Sequence, residues 1–177
     1  MRVEFVFVAI LAVFAVTGMA RGYKQEMGVT ILLLLALGGV GLIESNYSAQ
    51  LSALLARTID HGALYDVAAR GVLNCVLLLL ALFAAYQAHF LRFPGPSPSN
   101  ALSFSNGLLN GYLLGGSLWF YLAQGGWPLV PLSTATLTPI DRILLRELPP
   151  SVYPWPVLLA MALFFLLARL LSGQQVS

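Results

Sequence analysis

At 177 residues, with 59% hydrophobic residues, 9% charged residues and a formal net charge of +2, the chain carries far fewer charges than the ~25% of a soluble domain. This composition points to an all-α integral membrane protein folded as a single helical membrane domain over residues 1–177, because no polar stretch is long enough to build a separate soluble core. It argues against a nucleic-acid partner, since the 9 Lys and Arg residues are scattered along the chain and form no basic stripe.

Apart from Glu4, Val3 to Ala20 is an unbroken apolar run of 18 residues, enough for ~27 Å of helix and therefore for a first membrane span. Arg2 ahead of it and the small residues Gly18 and Ala20 also fit a cleaved signal peptide. A short polar turn, Arg21 to Glu26, favours a helical hairpin instead, with Gly22 free to take the positive φ that ends a helix. Met27 to Ile43 is the second span, whose Gly38, Gly39 and Gly41 allow either a close neighbour or a bend. From Glu44 to Arg70 the chain is too polar for the membrane core, yet Leu51, Leu54, Leu55 and Ile59 repeat at helical spacing. An amphipathic helix lying in the interface is expected there, with Asp60 and His61 as a solvated pair.

Gly71 to Ala88 reads as the third span. Its one interior amide, Asn74, requires a partner on another helix, and Cys75 is a small buried hydrophobe with no second cysteine to pair with. Three prolines in Phe93 to Asn100 block helix and give a stiff connector. In Gly107 to Ala123 the glycines at 107, 111 and 115 recur every fourth residue, which places them on one helix face. Such a stripe, a glycine zipper, predicts a packing seam against another helix backbone, and Trp119, Phe120 and Tyr121 are expected at the lipid headgroups. Residues 124–154 form an extramembrane interval with a short amphipathic helix, capped by Thr138 and opened by Pro139, with Ile140, Ile143, Leu144 and Leu148 on one side. Residues 155–171 make an additional span that ends near Arg169. The count is about five transmembrane helices with one or two interfacial amphipathic helices. The compact basic turn Arg21 to Lys24, with Arg92 and Arg169 on the same side, places the N-terminus outside and the C-terminus in the cytoplasm.

Gly18-Met19-Ala20-Arg21-Gly22-Tyr23-Lys24-Gln25-Glu26, at the junction of the first two spans, resembles the G-x-x-R-G-[FY]-x-x-E signature of the colicin V production protein family (CvpA-like proteins). The order of elements over residues 1–123 is similar as well, down to a G-x-x-x-G opening the fourth span at Gly107 and Gly111. The chain departs from that pattern at Asn110, where the family commonly has Arg, and in the proline-rich lead-in. The resemblance implies a multi-pass protein of the bacterial inner membrane, linked to envelope homeostasis or toxin secretion, without enzymatic activity, catalytic residues or cofactor. Gly18, Arg21, Gly22 and Glu26 are expected to fix the first hairpin, with both charges at the boundary within reach of water.

Intramembrane catalysis needs ionisable groups facing each other in a cavity, and the interiors of the five expected spans carry no Asp, Glu, Lys or Arg. Neither metal-binding nor nucleophile motifs occur, and His61 and His89 sit at membrane edges. Three functions remain: a CvpA-like factor acting through helix–helix and protein contacts; an accessory subunit of a larger membrane complex, photosynthetic or respiratory; and a small transporter or channel. The last requires a polar path, for which Asn74, Asn110 and Tyr112 would have to gather on one cavity. Membrane lipids and other membrane proteins, or a second copy of the chain, are the expected partners.

Overall fold

In the computed structural model the described residues are 3–58, 63–87, 93, 99–126 and 139–173. They are helical throughout, with no strand among them: α1 (Val3–Arg21), α2 (Tyr23–Thr58), α3 (Ala63–Gln87), α4 (Asn100–Gln124), α5 (Pro139–Arg146), α6 (Pro149–Val152) and α7 (Trp155–Gly173). The Asp60–His61 pair, His89, Arg92, the prolines at 94–98 and the Thr138 cap lie outside the described residues.

Two helices are long and apolar enough to cross a membrane, α2 over Tyr23–Leu54 and α3 over Val67–Gln87, while Phe5–Arg21 and Trp155–Leu171 are shorter apolar helices. α4 belongs to neither group. Its glycines, asparagines and serines lower its hydropathy, and the fold compensates by surrounding it: α1, α2 and α3 all pack on α4, and Ser103, Asn106, Asn110 and Ser117 are buried. The α1–α4 pairing is the most extensive in the molecule, followed by α2 with α7.

α1 and α2 are joined by a single residue. Gly22 has φ +82°, a conformation that costs a residue with a Cβ but not glycine, and its N–H donates to the Gly18 carbonyl at 2.9 Å. α2 then runs for 36 residues, a rise of ~54 Å that exceeds the ~30 Å hydrocarbon thickness. The second span and most of the expected interfacial segment are therefore one helix, since nothing between Ile43 and Thr58 breaks it. An amphipathic stripe reports which face is apolar, not the direction of the axis, which is why the sequence does not separate the two cases. α3 likewise starts earlier than Gly71, at Ala63.

Other glycines mark where helices cross. A Cβ on Gly38 would stand 2.6 Å from Leu159 side-chain atoms, and one on Gly41 would stand 2.7 Å from Trp155 Cβ, so the glycine-rich part of α2 is the bed on which α7 lies. Gly71 faces the Tyr121 carbonyl and Gly125 in the same way, at the crossing of α3 and α4. Cys75 is buried there, with its thiol 3.8 Å from the Leu118 carbonyl. The main core, with Val29, Leu33, Leu34 and Leu37 of α2 against Leu78 of α3, Leu113 of α4 and Leu158 of α7, holds these crossings together.

The aromatic end of α4 is enclosed by protein: Trp119 and Tyr121 are each only 4% exposed, and Trp119 lies edge-on to Phe7 of α1 with ring centroids 5.4 Å apart. The expected one-sided stripe is corrected: Ile143 of α5 faces outward, while Leu144 of α5 and Leu148, two residues past its end, pack inward, because the short helix touches the bundle along a narrower strip than its sequence pattern offers.

Candidate functional site

The α1–α2 turn meets the N-terminal half of α4, and most of the residues singled out in the sequence come together there. On the seam, a Cβ at Gly107 would strike the Phe14 carbonyl oxygen and stand 3.0 Å from Gly18 Cα. From Gly18 the approach is reciprocal, 2.5 Å to the Ser103 carbonyl oxygen and 2.8 Å to Gly107 Cα. Gly111 faces Phe14 Cβ at 3.0 Å and Leu11 Cα at 3.2 Å, and Gly115 faces the Ile10 side chain at 3.0 Å. The partner of the glycine stripe is thus α1, with backbone against backbone at Gly18–Gly107 and increasing side-chain content toward Gly115.

One turn into α2, the side chain of Glu26 is fully buried. The expectation that its charge reaches water is corrected: α4, distant in sequence, closes over it. Asn110 Nδ2 donates to Glu26 Oε2 at 2.9 Å, and Arg21 donates to Oε1 at 3.3 Å. Thr30 has a single hydroxyl proton, and the shortest available acceptor is Asn110 Oδ1 at 2.7 Å; the same hydroxyl accepts from Asn106 Nδ2 at 3.2 Å. The bonds therefore form a chain, Asn106 to Thr30 to Asn110 to Glu26, in which every donor points toward the carboxylate. An ionised Glu26, an acceptor at both oxygens, satisfies this arrangement, and Arg21 neutralises it. The Arg21 guanidinium also lies 4.0 Å from the centre of the Tyr86 ring, which ties α3 into the same end of the bundle. Tyr23 N–H donates to Ser103 Oγ at 3.0 Å beside it.

Asn74 lies elsewhere. Its Nδ2 donates at 2.8 Å to Glu44 Oε1, and Glu44 also pairs with Arg70 at 3.7 Å, so α2 and α3 are fastened again 18 residues further along α2, ~27 Å from Glu26. The Tyr112 hydroxyl donates to the Glu147 carbonyl and anchors the α5–α6 corner. Asn74, Asn110 and Tyr112 thus serve three separate contacts. Replacing Tyr112 with Phe removes one hydrogen bond and should cost about 1 kcal/mol, seen as faster proteolysis around residues 147–152 with the melting of the bundle little changed. Unaltered cleavage would mean that this bond does not hold the corner.

The sequence reading missed Glu26 as a buried group and Thr30 and Asn106 as its neighbours. A usable signal was present: Asn106 and Asn110 are four apart on the face next to the glycine stripe, and amides on a buried face require partners. Among the described residues no group of three or more His, Cys, Asp and Glu is placed to hold a metal ion. No family model, curated protein or solved structure matches the chain.

Proposed function

We propose that the protein is a multi-pass helical membrane protein with five spans, CvpA-like, that works through helix–helix and protein contacts in a bacterial inner membrane and not by catalysis. The observation that carries the membrane reading is an inverted polarity. Phe5, Val13 and Val16 of α1, Leu79, Leu80 and Phe83 of α3, and Phe164, Leu167 and Leu171 of α7 are exposed, whereas Glu26, Thr30, Asn106, Asn110 and Ser117 are buried. Water disfavours so much outward apolar surface, and hydrocarbon favours it. α4, too polar to face lipid, crosses inside the ring of its neighbours.

The CvpA-like part of the reading is supported by a spatial coincidence. The two segments that carry the resemblance, residues 18–26 and 107–111, are far apart in sequence yet meet at Gly18–Gly107 and Glu26–Asn110. Neither segment contains a buried side-chain nitrogen or oxygen without a hydrogen-bond partner, as befits a structural joint. By the same resemblance the role lies in envelope homeostasis or toxin secretion.

Alkaline carbonate washing should leave the protein in the membrane pellet; release into the supernatant would end the membrane reading. In a Cys75→Ala background, Val152→Cys should be labelled from the outer face, and labelling only from the cytoplasmic face would reverse the orientation. Native purification in mild detergent distinguishes the modes of action: a homo-oligomer or a sub-stoichiometric partner agrees with a CvpA-like factor, and a fixed stoichiometric complex makes the chain an accessory subunit instead.

A further inference from the structure

α7 lies on one side of α2 and α4 on another, and between them runs a lateral crevice floored by α2. Its mouth, about 350 Å³, carries the polar side chains of Glu44, Ser45 and Gln124 beside the rings of Tyr121, Tyr153 and Trp155. An adjoining space of about 90 Å³ shares Tyr153 and Leu158 with the mouth and continues past Leu34, Met161 and Phe165 to Thr30. Glu44 and Thr30 are 14 residues apart on α2, ~21 Å along its axis, which is more than half of the ~30 Å hydrocarbon thickness. The crevice is thus polar and aromatic at one end and apolar over the depth of one leaflet.

We propose that this crevice binds a single phospholipid with a primary-ammonium headgroup, the ammonium at Glu44 and one acyl chain along Leu158 and Leu34 toward Phe165. This rests on the membrane reading above. Donor chemistry selects the headgroup: Glu44 is partly exposed, and a carboxylate has about four acceptor positions, of which Asn74 takes one at 2.8 Å and Arg70 pairs with the other oxygen at 3.7 Å, so further positions remain open to a donor from the mouth. An anionic headgroup brings no cationic donor to those positions. The N–H donors of a primary ammonium suit Glu44 and the Ser45 and Gln124 side chains, and Tyr153 and Trp155, which line the same mouth, are residue types suited to headgroup depth. A water-soluble amine would leave the apolar part of the crevice unfilled.

The test uses the full chain, purified in mild detergent, delipidated, and titrated with phosphatidylethanolamine or with phosphatidylglycerol of the same acyl chains. Binding is read as one-to-one adducts in native mass spectrometry and as a rise in melting temperature. Phosphatidylethanolamine should bind at least about tenfold more tightly. Glu44→Gln, which keeps an acceptor for Asn74, should abolish that preference. Because it also disturbs the Arg70 pair, a second variant, Ser45→Trp, fills the mouth and leaves every Glu44 partner in place; it should lose the one-to-one adduct. Equal affinity of the wild-type protein for both lipids, or undiminished binding by Ser45→Trp, overturns the proposal. Retention in carbonate-washed membranes together with either result would sink the crevice and leave the membrane reading intact.

Discussion

Gly107→Val is expected to cost about 3 kcal/mol or more, the top of the range for overpacking, and to detach α1 from α4. The atoms a new side chain would meet are the Phe14 carbonyl oxygen and the Gly18 and Ala15 Cα atoms, all backbone, so no rotamer change can make room. Gly111→Leu should be milder, because its closest neighbours stand at 3.0 Å or more and one of them, the Leu11 Cδ2, is a side-chain end that can shift. Gly39 supplies the control: nothing lies within 4 Å of a Cβ built there, so Gly39→Ala should be stabilising by about 0.5–1 kcal/mol through helix propensity alone. Thermal unfolding in detergent orders the three variants. A Gly107→Val protein that melts like the wild type would show that α1 and α4 do not approach as closely as the seam requires.

Arg21→Ala is expected to cost about 3–5 kcal/mol, since it leaves the Glu26 carboxylate buried with no cation beside it. Glu26→Gln in the same chain removes that charge while keeping an oxygen for Asn110 to donate to, and the double variant should recover most of the loss. Such recovery is the signature of coupling between neighbours and cannot arise from two independent structural defects. Asn110→Ala tests the other side of the carboxylate and should also be strongly destabilising, because it removes the donor to Glu26 and the acceptor for Thr30 together. If Arg21→Ala melts normally while the cellular role is lost, Arg21 serves a binding site and not the joint.

Features set by local geometry are legible in this sequence. Gly22 sits where one hairpin must turn, and only glycine takes φ +82° without strain, so the turn can be read from the residue itself. The glycine stripe is equally local, because a spacing of four fixes a face. What remains hidden is the partner: nothing in residues 107–115 points to α1 rather than α3. Trp119 and Tyr121 leave a similar gap, since an aromatic near the end of an apolar run fixes depth in a membrane but not whether the ring faces lipid or protein. Glu26 was the largest omission. Its position along the chain, four residues after Gly22, reads as a boundary, and its burial is imposed by a helix that begins more than seventy residues later.

That separation also orders events during synthesis. Glu26 and Asn110 are 84 positions apart, so their hydrogen bond cannot form until α4 has been made. Arg21, only 5 positions from Glu26, is already present to balance its charge before α4 is made. When α4 joins, the Asn110 amide adds its bond to the carboxylate and the glycine seam closes alongside. The same two residues therefore act in succession, the arginine as an early escort for the charge and the asparagine as the later latch.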